Sequence, residues 1–220
     1  MTKPRIRPFG EGALLVELDD VASIANARRA RAVAASIAAL RLDMPWLGVP
    51  LPAAASVLVP FDPESAADHE VAAVIARAME AEASLVEGPA APRTHELRVR
   101  YGADDGPDLD AVASEVGLRP ADVIELHATP GYEVMFLGFA PGFAYLGEVH
   151  PRLVVPRLTT PRVRVPAGSV GIAGTMTAVY PQASPGGWRI LGRTDVRLFD
   201  PAEAPPALLQ PGDRVRFVPA

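Results

Sequence analysis

Apolar and polar positions alternate over residues 12–18, where Leu14, Val16 and Leu18 interleave with Ala13, Leu15 and Glu17. That two-residue period predicts a strand with one buried face. Ile24, Ala27, Ala34 and Ile37 then fall near helical spacing and predict a helix reaching about Leu40, with Asp19 or Asp20 as its cap. Two short apolar runs, 46–51 and 56–61, predict a hairpin. Asp62-Pro63-Glu64 combines a capping acceptor, a proline suited to the first helical position and an acid for the first turn. It predicts a second helix running to about Leu85 with Val71, Val74, Ile75 and Ala78 inward. The order βαββα predicts a small two-layer α+β domain over residues 1–88. The stretch Glu87-Gly88-Pro89-Ala90-Ala91-Pro92 reads as a linker.

The pattern changes over residues 89–220. A strand is predicted over 95–101, then two short helices, 108–116 ending at Gly117 and 120–127 ending before Pro130. From Tyr132 onward the apolar runs are short and punctuated by Gly and Pro. They cover 132–137, 162–165, 170–173, 177–180, 188–191, 196–199 and 214–218. Many short strands with regular turn signals predict a mainly-β domain in the form of a closed or nearly closed barrel. No internal repeat is found.

Composition narrows the chemistry. The 220 residues include 24 prolines, about twice the usual ~5%, spread through the chain as turns. There is no cysteine, which excludes a disulfide framework, a thiolate nucleophile, Cys-ligated zinc and iron–sulfur clusters. Lys3 is the only lysine, so the Gly-Lys-Ser/Thr of a P-loop is absent and a Schiff-base or biotin-bearing lysine is disfavoured. No apolar run is long enough to span a bilayer, and the expected location is the cytoplasm. The four histidines, at 69, 95, 127 and 150, show no metal-ligand spacing, so no metal is expected.

The net charge is −5, yet residues 134–199 hold seven arginines (152, 157, 162, 164, 189, 193, 197) against Glu148 and Asp195. Arg162-Val163-Arg164 places two guanidinium groups on one face of an extended run, expected to be a barrel face. A solvated surface accounts for this, and so does recognition of phosphate or carboxylate by arginine's planar fork. Nucleic acid fits poorly with the acidic total. Ala167-Gly168-Ser169-Val170-Gly171 has the outline of a nucleophile elbow, but the first Gly is missing and no His follows His150. His127, at the end of a short helix, is the one histidine to consider as an acid or base. A favourable contact with the helix C-terminus is the alternative.

The segment Gly138-Phe139-Ala140-Pro141-Gly142-Phe143-Ala144-Tyr145-Leu146-Gly147 fails both helical and strand periodicity. Three aromatics in a Gly/Pro-stiffened loop suit a ligand pocket or a partner surface. Residues 180–188, with Tyr180, Pro185, Gly187 and Trp188, form a second such segment.

GFAPGFAYLG, TPRVRVPAGSVGIAG and YPQASPGGWRILGRTDVRLFDP together resemble the family of the 5-oxoprolinase B subunit, also called allophanate hydrolase subunit 1 and sporulation-kinase inhibitor Kip. The resemblance extends to Tyr101-Gly102, Gly106-Pro107-Asp108-Leu109, residues 5–16 and the Pro-Gly-Asp-Arg-Val-Arg-Phe ending at Phe217. It implies a cyclophilin-like barrel behind a small α+β domain. It also implies a partner, the C subunit of 5-oxoprolinase. With a further A subunit, the two would form an ATP-dependent complex opening 5-oxo-L-proline to L-glutamate. ATP would then be a requirement of the complex, and this chain alone would be inactive. Relatives fused to biotin-dependent urea carboxylase imply a kinship with carboxyltransferase domains, without a biotin lysine here. A Kip-type regulator that inhibits a histidine kinase, or a subunit of urea metabolism, are the alternatives.

Chemistry and resemblance together nominate Arg162, Arg164 and Arg193 as anion contacts. Phe139, Phe143, Tyr145 and Trp188 would line a pocket, with Gly138, Pro141, Gly142, Gly168, Ser169, Gly174, Thr175, Thr177, Tyr180, Pro185 and Gly187 in the loops around it. Two departures stand out: Met176 occupies a position where the family often has Gln, and Ala54-Ala55 replace its usual Tyr-Arg.

Overall fold

Four short strands and two helices make the first of two compact units in the computed structural model, which describes residues 4–81 and 92–220. The strands are β1 (Arg5–Pro8), β2 (Ala13–Glu17), β3 (Leu51–Pro52) and β4 (Ser56–Pro60), in one antiparallel sheet of order β1-β2-β4-β3. Leu14 and Val16 of β2 and Val57 and Val59 of β4 point to one face. Ala30, Val33, Ala34 and Ile37 of α1 (Ile24–Ala39) and Val71, Ile75 and Ala78 of α2 (Asp68–Ala81) complete that core.

Three local details differ from the sequence pattern. β1 is an additional strand. The cap of α1 is Ser23, whose hydroxyl accepts from the Asn26 N–H at 3.1 Å, while Asp19 accepts from the N–H groups of Asp20 and Val21 in the preceding turn. Asp62-Pro63-Glu64 makes a turn closed by Ser65 Oγ on Asp62 at 2.6 Å. Helix α2 begins later, where Glu70 accepts from the Ala67 N–H at 2.9 Å; two capping signals compete, and the second is the one followed by helix. Of the predicted hairpin, only residues 51–52 pair as strand with β4, and Leu47 bridges Phe61. The predicted boundary at 88/89, the end of the second helix at Leu85 and the linker up to Ala91 lie outside the described residues.

The second unit, residues 92–220, is built on a closed barrel. Its elements in chain order are β5 (Thr94–Tyr101), α3 (Leu109–Val116), α4 (Pro120–Ala128), β6 (Gly131–Leu137), β7 (Ala144–Gly147), β8 (Arg162–Val165), β9 (Ser169–Ala173), β10 (Met176–Val179), β11 (Ser184–Gly186), β12 (Arg189–Arg193) and β13 (Arg214–Pro219). Seven of them close the ring in the order β10-β7-β6-β13-β5-β12-β9, with β9 returning to β10. β5 and β13 pair in parallel; the other ladders of the ring are antiparallel. Leu97, Val99, Val134, Leu146, Val170, Ile172, Leu191, Val215 and Phe217 fill the interior, joined by Val112 and Ala113 of α3 and Val123 of α4. Gly117 ends α3 in the left-handed conformation (φ 65°), as its position predicted.

β7 arises inside the aromatic segment that lacks periodicity, and residues 196–199 form no strand beyond a bridge from Phe199 to Ala207. β8 and β11 pair with each other as a separate ribbon. Arg162 and Arg164 therefore sit on this ribbon and not on a barrel face. Among the described residues no helix is long and apolar enough to cross a membrane.

Candidate functional site

The loop entering β7 is folded by its own backbone. The Gly138 N–H donates to the Phe143 carbonyl at 3.1 Å, and the Phe143 N–H to the Ala140 carbonyl at 2.9 Å, around Pro141 at the tip. Gly142 holds φ 77°, and a Cβ there would lie 2.7 Å from Phe199 Cβ, so the turn requires glycine. Phe139 also holds a positive φ, 70°, and its ring is 63% exposed. A non-glycine residue in that region carries strain that the surrounding loop must hold.

Behind Phe139 the rings converge. Phe143 is buried and lies 4.9 Å from Tyr145, 5.3 Å from Tyr180 and 5.8 Å from Trp188, centroid to centroid. Phe139 stands edge-on to Phe143 at 5.2 Å. The edge-to-face geometry suits the opposed charge of ring faces and edges. Met176 packs against the same cluster, its thioether filling the place where an amide is usual in the family. Gly186 lies so close to Tyr180 that a Cβ would fall 2.2 Å from the hydroxyl. Burial raises the Tyr180 pKa. Phe139, Phe143, Tyr145, Arg157, Tyr180, Pro185, Gly186, Gly187 and Trp188 enclose a recess of about 70 Å³. That is far below the ~300–1,000 Å³ of clefts for drug-sized ligands, so a small ring suits it and a nucleotide does not.

The other nominated residues lie elsewhere. Gly168, at φ 80°, has no room for a side chain because a Cβ would sit 2.1 Å from the Thr194 carbonyl oxygen. Ser169 is buried at the start of β9. Gly174 and Thr175 make the turn between β9 and β10. Arg164 is exposed. Arg193 donates through Nε to the Ala167 carbonyl at 3.1 Å. Arg162 is tied down: one Nη lies 2.7 Å from buried Asp108, whose other oxygen accepts the Ile190 N–H, while Nη1 is buried with no acceptor among the described residues.

His127 is fully buried and stacks on Phe217 at 4.7 Å. Its Nδ1 lies 2.8 Å from the Tyr101 hydroxyl and its Nε2 2.9 Å from Thr177 Oγ1. Thr177 donates its one proton to the Gly171 carbonyl at 3.0 Å. It must therefore accept from Nε2–H, leaving Nδ1 to accept from Tyr101 O–H. Burial pushes the imidazole pKa down to about 3, so the ring is neutral at physiological pH and its nitrogens are both engaged. A charged contact with the helix end is not made, and an exposed acid or base is not available there.

Sequence reasoning missed Arg157 and Asp108. Arg157 appeared only in a count of arginines; its guanidinium lies 5.9 Å over the Trp188 ring, a meeting across 31 positions that spacing cannot reveal. Asp108 entered only as the first residue of a predicted helix and as part of the family resemblance. It sits at the N-cap of α3, but its side chain makes no cap bond and is spent on Arg162 and Ile190.

Residues 4–209 match the model of the family described as carboxyltransferase domain, subdomain C and D. The B subunit of 5-oxoprolinase from Escherichia coli O157:H7 is 42% identical over 220 residues, the whole of this chain and 97% of that protein. The crystal structure of TTHA0988 is similar at TM-score 0.78 and 40% identity over 95% of this chain, which spans only 40% of that longer one. The urea carboxylase of Kluyveromyces lactis aligns at TM-score 0.75 and 19% identity, over 99% of this chain and 22% of that one. At that identity the likeness is one of fold.

Proposed function

We propose that this chain, which belongs to the carboxyltransferase subdomain C and D family and within it to the B subunits of 5-oxoprolinase, serves in an ATP-dependent complex that opens 5-oxo-L-proline to L-glutamate. The observation that carries this is the full-length identity of 42% to a 5-oxoprolinase B subunit. A B subunit presupposes others; proteins like the C subunit and the A subunit of 5-oxoprolinase are the partners in this reading. The same relationship favours an enzyme component over a kinase regulator. The setting in this reading is cytoplasmic.

A lactam is a poor electrophile, and phosphoryl transfer from ATP to its oxygen opens the ring carbon to water. The C–N bond then breaks with the nitrogen leaving as the amine, and a second water releases phosphate from the resulting acyl phosphate to give the carboxylate. This chain contains no Gly-Lys-Ser/Thr loop, so any nucleotide contact it makes is not of the P-loop kind, and in this reading ATP is a requirement of the complex. No general base is assigned, since His127 is neutral and enclosed. The aromatic recess is a place in this chain for a small ring; Arg162, nominated from the sequence as an anion contact, is held on Asp108 outside it.

The test is co-purification of the chain with its A-type and C-type partner proteins, followed by 5-oxoproline-dependent ADP release and glutamate formation. Turnover is expected only when all three are combined. Turnover by the isolated chain, or none by the assembled complex, would overturn the reading.

A further inference from the structure

The aromatic recess presents hydrogen-bond donors and a cation, and none of its lining residues is a carboxylate. Tyr180 is 1% exposed. Its hydroxyl lies against Gly186, where a Cβ would fall 2.2 Å from it, and its proton has no acceptor among the described residues. Such a hydroxyl keeps its proton for a ligand acceptor. Arg157 has no carboxylate or carbonyl partner among the described residues, although three neighbours in the arginine-rich stretch do have acids: Arg162 with Asp108, Arg189 with Glu115 and Arg197 with Asp200.

The backbone holds Arg157 in place from both sides. The Pro156 carbonyl accepts from Arg189 Nε at 3.3 Å, and Arg189 is itself fixed by Glu115 at 2.9 Å. The Leu158 N–H donates to the Gly187 carbonyl at 2.7 Å. Between these two anchors the guanidinium projects over Trp188 at the edge of the recess. Lying 5.9 Å from the ring centroid and without a protein acid, it keeps its N–H donors for an acceptor in the recess. Gly186 and Gly187 leave that side of the recess free of side chains.

We infer that this recess is a binding site for a small ring bearing one carboxylate, with Arg157 as the residue that pairs with the carboxylate and Tyr180 as the donor to a second oxygen of the ligand. Phe143, Tyr145 and Trp188 supply the faces that cover the ring. The inference rests on the proposed function only in the choice of 5-oxo-L-proline as the first probe.

The experiment titrates three probes into the full chain, alone and in the assembled complex, by calorimetry: 5-oxo-L-proline, its neutral carboxamide and 2-furoate, a flat five-membered carboxylate. The wild type should bind both carboxylates and discriminate against the carboxamide. Arg157→Gln should weaken both carboxylates about tenfold or more, the loss expected of a charge-assisted hydrogen bond, and leave the carboxamide unchanged. Arg157→Lys should restore only part of it, and Tyr180→Phe should weaken all three probes several-fold. Circular dichroism of each variant guards against misfolding.

Wild-type discrimination that persists in Arg157→Gln overturns the inference, as does an absence of binding by chain and complex at about 10 mM probe, a concentration that still detects the weakest useful affinities. A complex that turns over 5-oxoproline with the same KM in Arg157→Gln likewise sinks the site while leaving the proposed function standing. A complex without turnover whose Arg157-dependent binding of 2-furoate survives sinks the function and leaves the site.

Discussion

The two units of the chain are stabilised by different means. Among the described residues, every fully buried residue of 4–81 is apolar, the Nη1 atom of half-buried Arg29 being the one enclosed polar group without a partner. The core is built from Leu14, Val16, Val33, Ile37, Val57, Val59, Val71 and Ile75. All seven buried polar or charged residues, Asp108, His127, Glu133, Ser169, Thr177, Thr194 and Asp213, lie in residues 92–220. An apolar interior asks only for volume and pattern and tolerates exchange. A polar interior needs each donor to find its acceptor, and a single removal leaves its partner unpaired. The unit that carries the recess is thus the one whose core fixes positions as well as filling space.

Substitutions that discriminate the two modes sharpen this contrast. The largest effect is expected from Ile37→Ala, which empties a fully buried site and should cost about 3–4 kcal/mol. Trp46 packs against the first core and Trp188 lies in the aromatic cluster, so fluorescence in a Trp188→Phe background follows the first unit during urea unfolding. An unchanged midpoint would break the volume account.

Asp108→Asn should cost about 3 kcal/mol, near the lower end for breaking a buried ion pair, since Arg162 is left 30% exposed. Its transition is read from Trp188 in a Trp46→Phe background. A loss below about 1 kcal/mol, the range of an exposed pair, would show that the pair does not hold the ribbon to the barrel unit.

His127 makes the polar core sensitive to acid. Its folded pKa of about 3 lies below the unfolded value near 6.5, so between those values the unfolded chain binds the extra proton. Stability is complete above about pH 6.5 and falls toward pH 3, by about 1.4 kcal/mol per pH unit at most from this group. His127→Gln should flatten the dependence of the unfolding midpoint on pH between about 6.5 and 4. An unaltered slope would assign the acid sensitivity to other groups.

The smallest effect belongs to the cap of α1. Ser23→Ala removes the acceptor for the Asn26 N–H and should cost about 1 kcal/mol, again read from Trp46. No change would mean that the N-terminus of α1 is held by packing alone.

Much of this architecture was legible in the sequence because period reports burial. β2, α1, β5 and β9 announced themselves through alternation, helical spacing or continuous apolar runs. β1 did not: four residues with a mostly exposed pattern leave little to detect. Asp62 misled because an acceptor before proline serves a turn as well as a helix start. β7 was hidden because Gly and Pro around it disrupt the pattern, although Ala144, Leu146 and Gly147 are buried. At the site, the aromatics could be named from their density in two loops. Their donors could not, because Arg157 over Trp188 and Arg162 on Asp108 join residues 31 and 54 positions apart, and only the closed fold brings such partners together.

The pairing of β5 with β13 has a kinetic consequence. These strands lie in register from Thr94 opposite Arg214 to Val99 opposite Pro219, and the Glu96–Arg216 contact joins positions 120 residues apart. Rate falls as such distant contacts come to dominate a fold, so the ring should be slow to shut. Until β13 docks, β5 and β6 each offer an unsatisfied row of amides and carbonyls to any extended peptide nearby. The final strand is thus a latch, and the interval before it engages is when the chain is most exposed to pairing with a second copy of itself.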